Sequence, residues 1–114
     1  MGGADTQGLE RVVEEHISAN GWDTNLERVN EDFSLVTGVD TATGNRTIVL
    51  VAPSRDVTIG QQEIEWINDR AADVGANSIE VTTNGTVAEE AYESAQSHGV
   101  AIQDPGTYRQ PQSQ

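Results

Sequence analysis

The sequence predicts an α/β domain, a mixed sheet with helices on both faces, in the element order α-β-β-β-α-β-α-β. Three observations carry this expectation. The first is the run at 46–54, RTIVLVAPS, in which Ile48, Val49, Leu50, Val51 and Ala52 make the most apolar stretch of the chain. A continuous apolar run of strand length, rich in β-branched residues and bounded by turn formers, is a central strand buried on both faces. The second is the recurrence of apolar residues at helical spacing in three places. The third is order: strand-like segments first form a meander and then alternate with helical ones, which calls for crossovers onto a sheet.

Residues 1–7 carry no pattern and are expected to be disordered. From Leu9 an apolar stripe runs through Val12, Val13, His16 and Ile17, and Asn20-Gly21 stops it. Asp5 or Thr6 is the candidate cap of this helix. Residues 22–29 form a weak strand with Trp22, Leu26 and Val29 as its apolar points. Asn30-Glu31-Asp32 turns the chain, 33–39 is a stronger strand, and 40–45 is a hairpin loop leading into the central strand. Pro53 ends that strand. A second helix covers about 61–72, with Ile64, Ile67, Ala71 and Val74 on one face, Trp66 at its edge and Gly75 as its stop. Residues 78–83 form the next strand. Thr86-x-x-Glu89 has the form of a capping box opening a third helix, which ends at Gly99 after His98. A short strand at 100–102 closes the sheet, and 105–114 is expected to be a disordered tail. The domain is thereby expected to occupy residues 8–104.

At 114 residues the chain suffices for one small domain with a modest core. It has no cysteine, which excludes disulfides, thiolate nucleophiles and zinc held by thiolates. The first residues lack the basic and apolar regions of a secretion signal, and no window approaches the roughly 20 apolar residues of a membrane span. A cytoplasmic protein with no membrane partner is expected. Charge is the unusual feature: 19 acidic residues face 6 basic ones, for a net charge of −13. The basic residues are all arginines: Arg11, Arg28, Arg46, Arg55, Arg70 and Arg109. The acids are spread along the chain and small residues are abundant. This reads as the composition of a halophilic, archaeal protein rather than a DNA mimic or a binder of basic proteins. At molar salt the Debye length is about 3 Å, so self-repulsion is screened, and the fold is expected to depend on salt.

The stretch at 81–104, VTTNGTVAEEAYESAQSHGVAIQD, combines a strand, a Thr/Gly turn, a helix with Ala91 and Ala95 four apart, then Gly99-Val100 and a short strand ending in Asp104. Upstream, Leu9-Glu10, Val13, His16-Ile17 and Gly21-Trp22 form a second set. Together these resemble the Mrr-type (type IV) restriction endonuclease catalytic domain over about residues 9–104. The resemblance implies the restriction-endonuclease-like fold, a three-layer α-β-α arrangement around a mixed five-stranded sheet. It also implies a chemistry. An Asp on the second strand and a Glu or Gln on the third would hold magnesium, a Lys two residues further would help activate water, and a Glu on the first helix would assist. Carried onto this chain, Glu10 matches the helix glutamate. Ser34 falls at the strand aspartate, and Val51 and Pro53 fall at the Glu/Gln and the Lys. The chain has no lysine to supply by a shift of register. Arg55, two residues on, stays protonated and is a poor substitute. The catalytic motif is therefore degenerate.

The remaining candidates each have a structural alternative that the residue pattern favours. Glu10 reads as a solvated residue of an acidic helix, and Asp32 and Asp40 as turn formers through Asx hydrogen bonds. His16 reads as a half-buried, hydrogen-bonded member of its stripe, and His98 as a favourable charge at a helix C-terminus. No H-E-x-x-H zinc motif, G-x-S-x-G elbow or phosphate loop is present. Six scattered arginines make no basic patch of the kind nucleic acid normally needs. Trp66 reads as cover for the edge of the core, with an interface as the functional alternative.

The expectation that follows is a non-catalytic homologue of an Mrr-like endonuclease domain, a binding or scaffold module linked to DNA. Such a module needs no cofactor. The enzyme alternative is a divergent endonuclease whose site has migrated to Glu10, Asp32 or Asp40, and Arg55; it would require magnesium held by those carboxylates. A third reading is a protein-interaction domain or homodimer built on Trp66.

Overall fold

The computed structural model describes residues 2–109. Its elements are helix α1 (Gly2–Ser18), strands β1 (Asp23–Arg28), β2 (Ser34–Val39), β3 (Arg46–Ala52) and β4 (Thr58–Ile59), helix α2 (Gln61–Val74), strands β5 (Ser78–Thr83) and β6 (Thr86–Val87), helix α3 (Glu89–His98), strand β7 (Ala101–Gln103) and helix α4 (Pro105–Arg109). The main sheet has five strands in the order β1-β2-β3-β5-β7. β1, β2 and β3 form an antiparallel meander, and β3, β5 and β7 run parallel. The expected mixed sheet is present, with β3 at its centre and every residue of that strand after Arg46 buried.

Alternation along β3 divides the core in two. Ile48, Leu50 and Ala52 pack with Ile64, Ile67 and Ala71 of α2 and with Ala91 and Ala95 of α3. Val49 and Val51 pack on the opposite face with Leu9, Val13 and Ile17 of α1 and with Tyr108 of α4. The apolar spacings at 9–17 and 64–71 are thus two core-facing helix stripes. Gly75 and Gly99 end α2 and α3 in the left-handed conformation, at φ 71° and 73°, which suits a residue without a Cβ. Among the described residues no helix is long and apolar enough to cross a membrane.

The structure departs from the expected elements at four points. Helix α1 is described from Gly2, so Asp5 and Thr6 lie inside it and residues 2–7 are helical rather than patternless. Thr86 does not cap α3. Thr86–Val87 instead pairs in parallel with Thr58–Ile59 as a small second sheet, and Ala88 is the N-cap, without a side-chain bond. The reach-back by a glutamate expected there is found at α2, where the Glu63 carboxylate accepts the Gly60 N–H at 2.7 Å. Residues 105–109 are not a disordered tail but helix α4, held down by the buried Tyr108. The rest of the expected tail, 110–114, lies outside the described residues, as does residue 1.

Candidate functional site

Strand pairing places five residues in one row across the sheet. Arg28 is opposite Ser34, Ser34 is opposite Val51, Val51 is beside Thr82, and Thr82 is beside Gln103. Paired residues project to the same face, here the face that α1 covers. Glu10, next to the buried Leu9, sits over this row, and the Ser34 hydroxyl donates a hydrogen bond to the Glu10 carboxylate. Ser34 itself is only 1% exposed. A cleft of about 310 Å³ opens beside the pair, lined by Glu10, Arg11, Leu26, Arg28 and Ser34. The Arg28 guanidinium is anchored at its rim, with Nε donating to the Asn30 carbonyl at 2.9 Å and Nη2 to that of Glu31 at 3.3 Å.

Three of the positions singled out in the sequence therefore meet: Glu10, Ser34 and Val51. Glu10 is half-buried and bonded rather than freely solvated. Val51 is fully buried in the core between sheet and α1. Pro53 lies just past the end of β3, where its carbonyl accepts a bond from the Asn84 amide at 3.0 Å. Asp32 lies at the same end of the sheet, on an exposed turn where its N–H donates to Asn30 Oδ1. Asp40 does not join them. It follows β2 at its far end, about 20 Å from Ser34 along an extended strand. There its carboxylate accepts bonds from the Ala42 N–H at 3.1 Å and the Thr43 hydroxyl at 3.0 Å, as an Asx turn does. Arg55 is exposed on the turn after Pro53. Trp66 is on α2, across the sheet from Glu10, 40% exposed, beside a cleft of about 230 Å³ that Val29, Phe33 and Leu50 also line.

Magnesium takes six oxygen ligands, usually including one or two carboxylates, in near-ideal octahedral geometry. At this row Glu10 supplies one carboxylate, already bonded to Ser34. Ser34 supplies a neutral hydroxyl and Val51 no donor at all. Among the described residues no three His, Asp or Glu side chains gather as a metal-binding group. The donor set does not fit the ion.

A helix carrying a glutamate over the second and third strands of a mixed sheet, with a parallel half beyond, defines the restriction-endonuclease-like class. A model of the restriction endonuclease family, the Mrr catalytic domain, matches residues 3–106, and the chain belongs to that family. Nucleases of this kind are usually metal-dependent. Among solved structures, the chain is similar to AF1548, a protein of unknown function, with a TM-score of 0.62 and 18% identity over 95% of this chain. It is also similar to EndoMS in its apo form (0.52, 14%, 83%) and to the MspJI restriction endonuclease in complex with a 27-mer oligonucleotide (0.50, 13%, 91%). These matches cover 60%, 45% and 26% of the neighbours' own chains, so each neighbour is considerably longer. At these identities the likeness is one of fold. No curated protein matches the chain.

Two features of the site were not apparent from the residues alone. Arg11 and Arg28 flank the cleft, although the arginines look scattered along the chain. The signal was the register of the β1–β2 hairpin, which sets Arg28 opposite Ser34. The other feature is Thr82, fully buried in the same row, whose hydroxyl finds no hydrogen-bond partner among the described residues.

Proposed function

We propose that the chain is a non-catalytic member of the restriction endonuclease family, a module that engages the phosphate backbone of DNA without cutting it. One observation carries this reading. At the row where the family's metal chemistry would stand, a serine hydroxyl is bonded to Glu10 and a buried valine follows it. Arg11 and Arg28 beside the cleft supply guanidinium groups suited to phosphate. The net charge of −13 opposes association in dilute buffer. It also supports a halophilic setting, in which screening reduces that opposition.

The test is fluorescence anisotropy with a labelled duplex oligonucleotide across a KCl series. Saturable binding, weakened at least tenfold by Arg11→Ala with Arg28→Ala and with a smaller salt dependence, is expected. Binding that is absent, or indifferent to both substitutions, contradicts it.

Trp66 supports a second reading, a protein-protein contact, because an exposed indole beside an apolar cleft is a common anchor. A homodimer seen by sedimentation and dissociated by Trp66→Ala would favour it. A monomer at all concentrations would remove that form of it.

A further inference from the structure

The face of the sheet under α1 carries a second cleft at its other end. Below the row of Ser34 and Val51 lies the row Leu26, Val36, Val49, Glu80 and Ala101, and below that Thr24, Gly38, Thr47 and Ser78. The cleft, of about 240 Å³, is lined by His16 from α1, Trp22 before β1, Ser78 and Glu80 of β5, Gln103 of β7 and Tyr108 of α4, among others. His16 is six residues from Glu10, about 9 Å along the axis, so the same helix serves both ends.

Three aromatic rings and one carboxylate meet here, and among the described residues no lysine or arginine lines the space. The rings of His16 and Tyr108 stand 5.4 Å apart and nearly perpendicular, at 82°, which makes a corner rather than a stack. Trp22 approaches from a third side, packed against the core over Gly38. The Tyr108 hydroxyl donates to Glu80 Oε1, which fixes the carboxylate at the wall of the space. Burial and the neighbouring carboxylate push the phenol's ionisation upward, so it stays a neutral donor.

Aromatic rings arranged around a volume, with a fixed carboxylate and no arginine among the described lining residues, attract a positive charge that is weakly hydrated. Ring quadrupoles and the carboxylate act together, and the cost of removing water from a methylated ammonium is smaller than for a bare ammonium or a metal ion. We propose that this cleft binds a quaternary ammonium group. The inference does not rest on the reading of the Glu10–Ser34 site.

The test titrates the full chain with choline chloride, replacing KCl at constant ionic strength, and follows the two indole N–H signals by NMR. The Trp22 signal is expected to shift saturably while that of Trp66 stays in place as an internal control. The uncharged isostere 3,3-dimethylbutanol is expected to bind at least tenfold more weakly, and Glu80→Gln to weaken choline at least fivefold. A circular dichroism spectrum and a Trp66 indole signal in Glu80→Gln that match those of the native chain guard against misfolding in that variant. No saturable shift at Trp22, or equal binding of choline and its isostere, overturns the proposal.

Discussion

Ser34 presents one hydroxyl proton, and that proton goes to Glu10. The pairing accounts for both groups at once. A half-buried carboxylate receives a donor, and a serine that is 1% exposed is not left with an unpaired hydroxyl. Two positions along the row, the Thr82 hydroxyl has no such partner among the described residues. An unpaired buried hydroxyl costs about 1–3 kcal/mol, so Thr82→Val is expected to raise the melting temperature by a few degrees. A fall on thermal denaturation would show that the hydroxyl is satisfied. Tyr108 makes a prediction of opposite sign. Its ionisation is pushed above the ordinary value of 10.0 by burial, then by Glu80. A group whose folded value is raised contributes fully below the unfolded value, and that contribution is lost as pH rises beyond it. Stability should therefore decline above about pH 10 in the native chain, and less so in Tyr108→Phe, which at neutral pH should be about 1–2 kcal/mol weaker through loss of a bond to a charged acceptor. Parallel pH dependences in urea denaturation would contradict this. Little of this was legible in the sequence. Glu10 and Ser34 are separated by 24 positions, and nothing local marks their contact; only the family resemblance set them at related positions.

The elements themselves were easier to read. β3 and β5 were legible to the residue because apolar runs between turn formers leave little choice of boundary. α3 was misjudged at its start because Thr86 and Glu89 satisfy a local capping pattern, while the pairing of Thr86–Val87 with Thr58–Ile59 is a long-range interaction that local spacing does not encode. α4 was missed because a five-residue helix has no periodicity to detect; its evidence is one buried tyrosine. The junction of α1 with the sheet depends on a glycine. A Cβ at Gly38 would lie 2.6 Å from Ile17 Cγ2 and 3.2 Å from Thr47 Cγ2, so even one methyl forces a shift of Ile17, either in its side chain or with the end of α1 that carries it. Gly38→Ala is expected to cost about 1–3 kcal/mol and to accelerate hydrogen exchange in the last turns of α1. Unchanged denaturation midpoints would mean that the helix yields without cost.

At the scale of the whole molecule, charge and fold pull in opposite directions. With 19 acids against 6 arginines, compaction brings like charges together. The ion pair formed by Arg70 and Glu27, at 3.4 Å, is exposed on both sides and contributes little. Screening is then the main relief, and the melting temperature is expected to rise between dilute buffer and molar KCl. A salt-independent melt by circular dichroism would refute this. The α/β class and the mixed sheet followed from sequence because they rest on hydrophobic pattern and connection rules. The positions of the site came only through the family resemblance, because no local pattern marks residues that meet across 24 positions and a sheet. The proposed function requires that the row where the family's chemistry would stand serves packing and a serine–glutamate bond instead. The decisive measurement is incubation of supercoiled plasmid with the protein in molar KCl and magnesium or manganese. No nicking above that of a Glu10→Ala control is expected; metal-dependent nicking by the native chain that Glu10→Ala abolishes would overturn the non-catalytic reading.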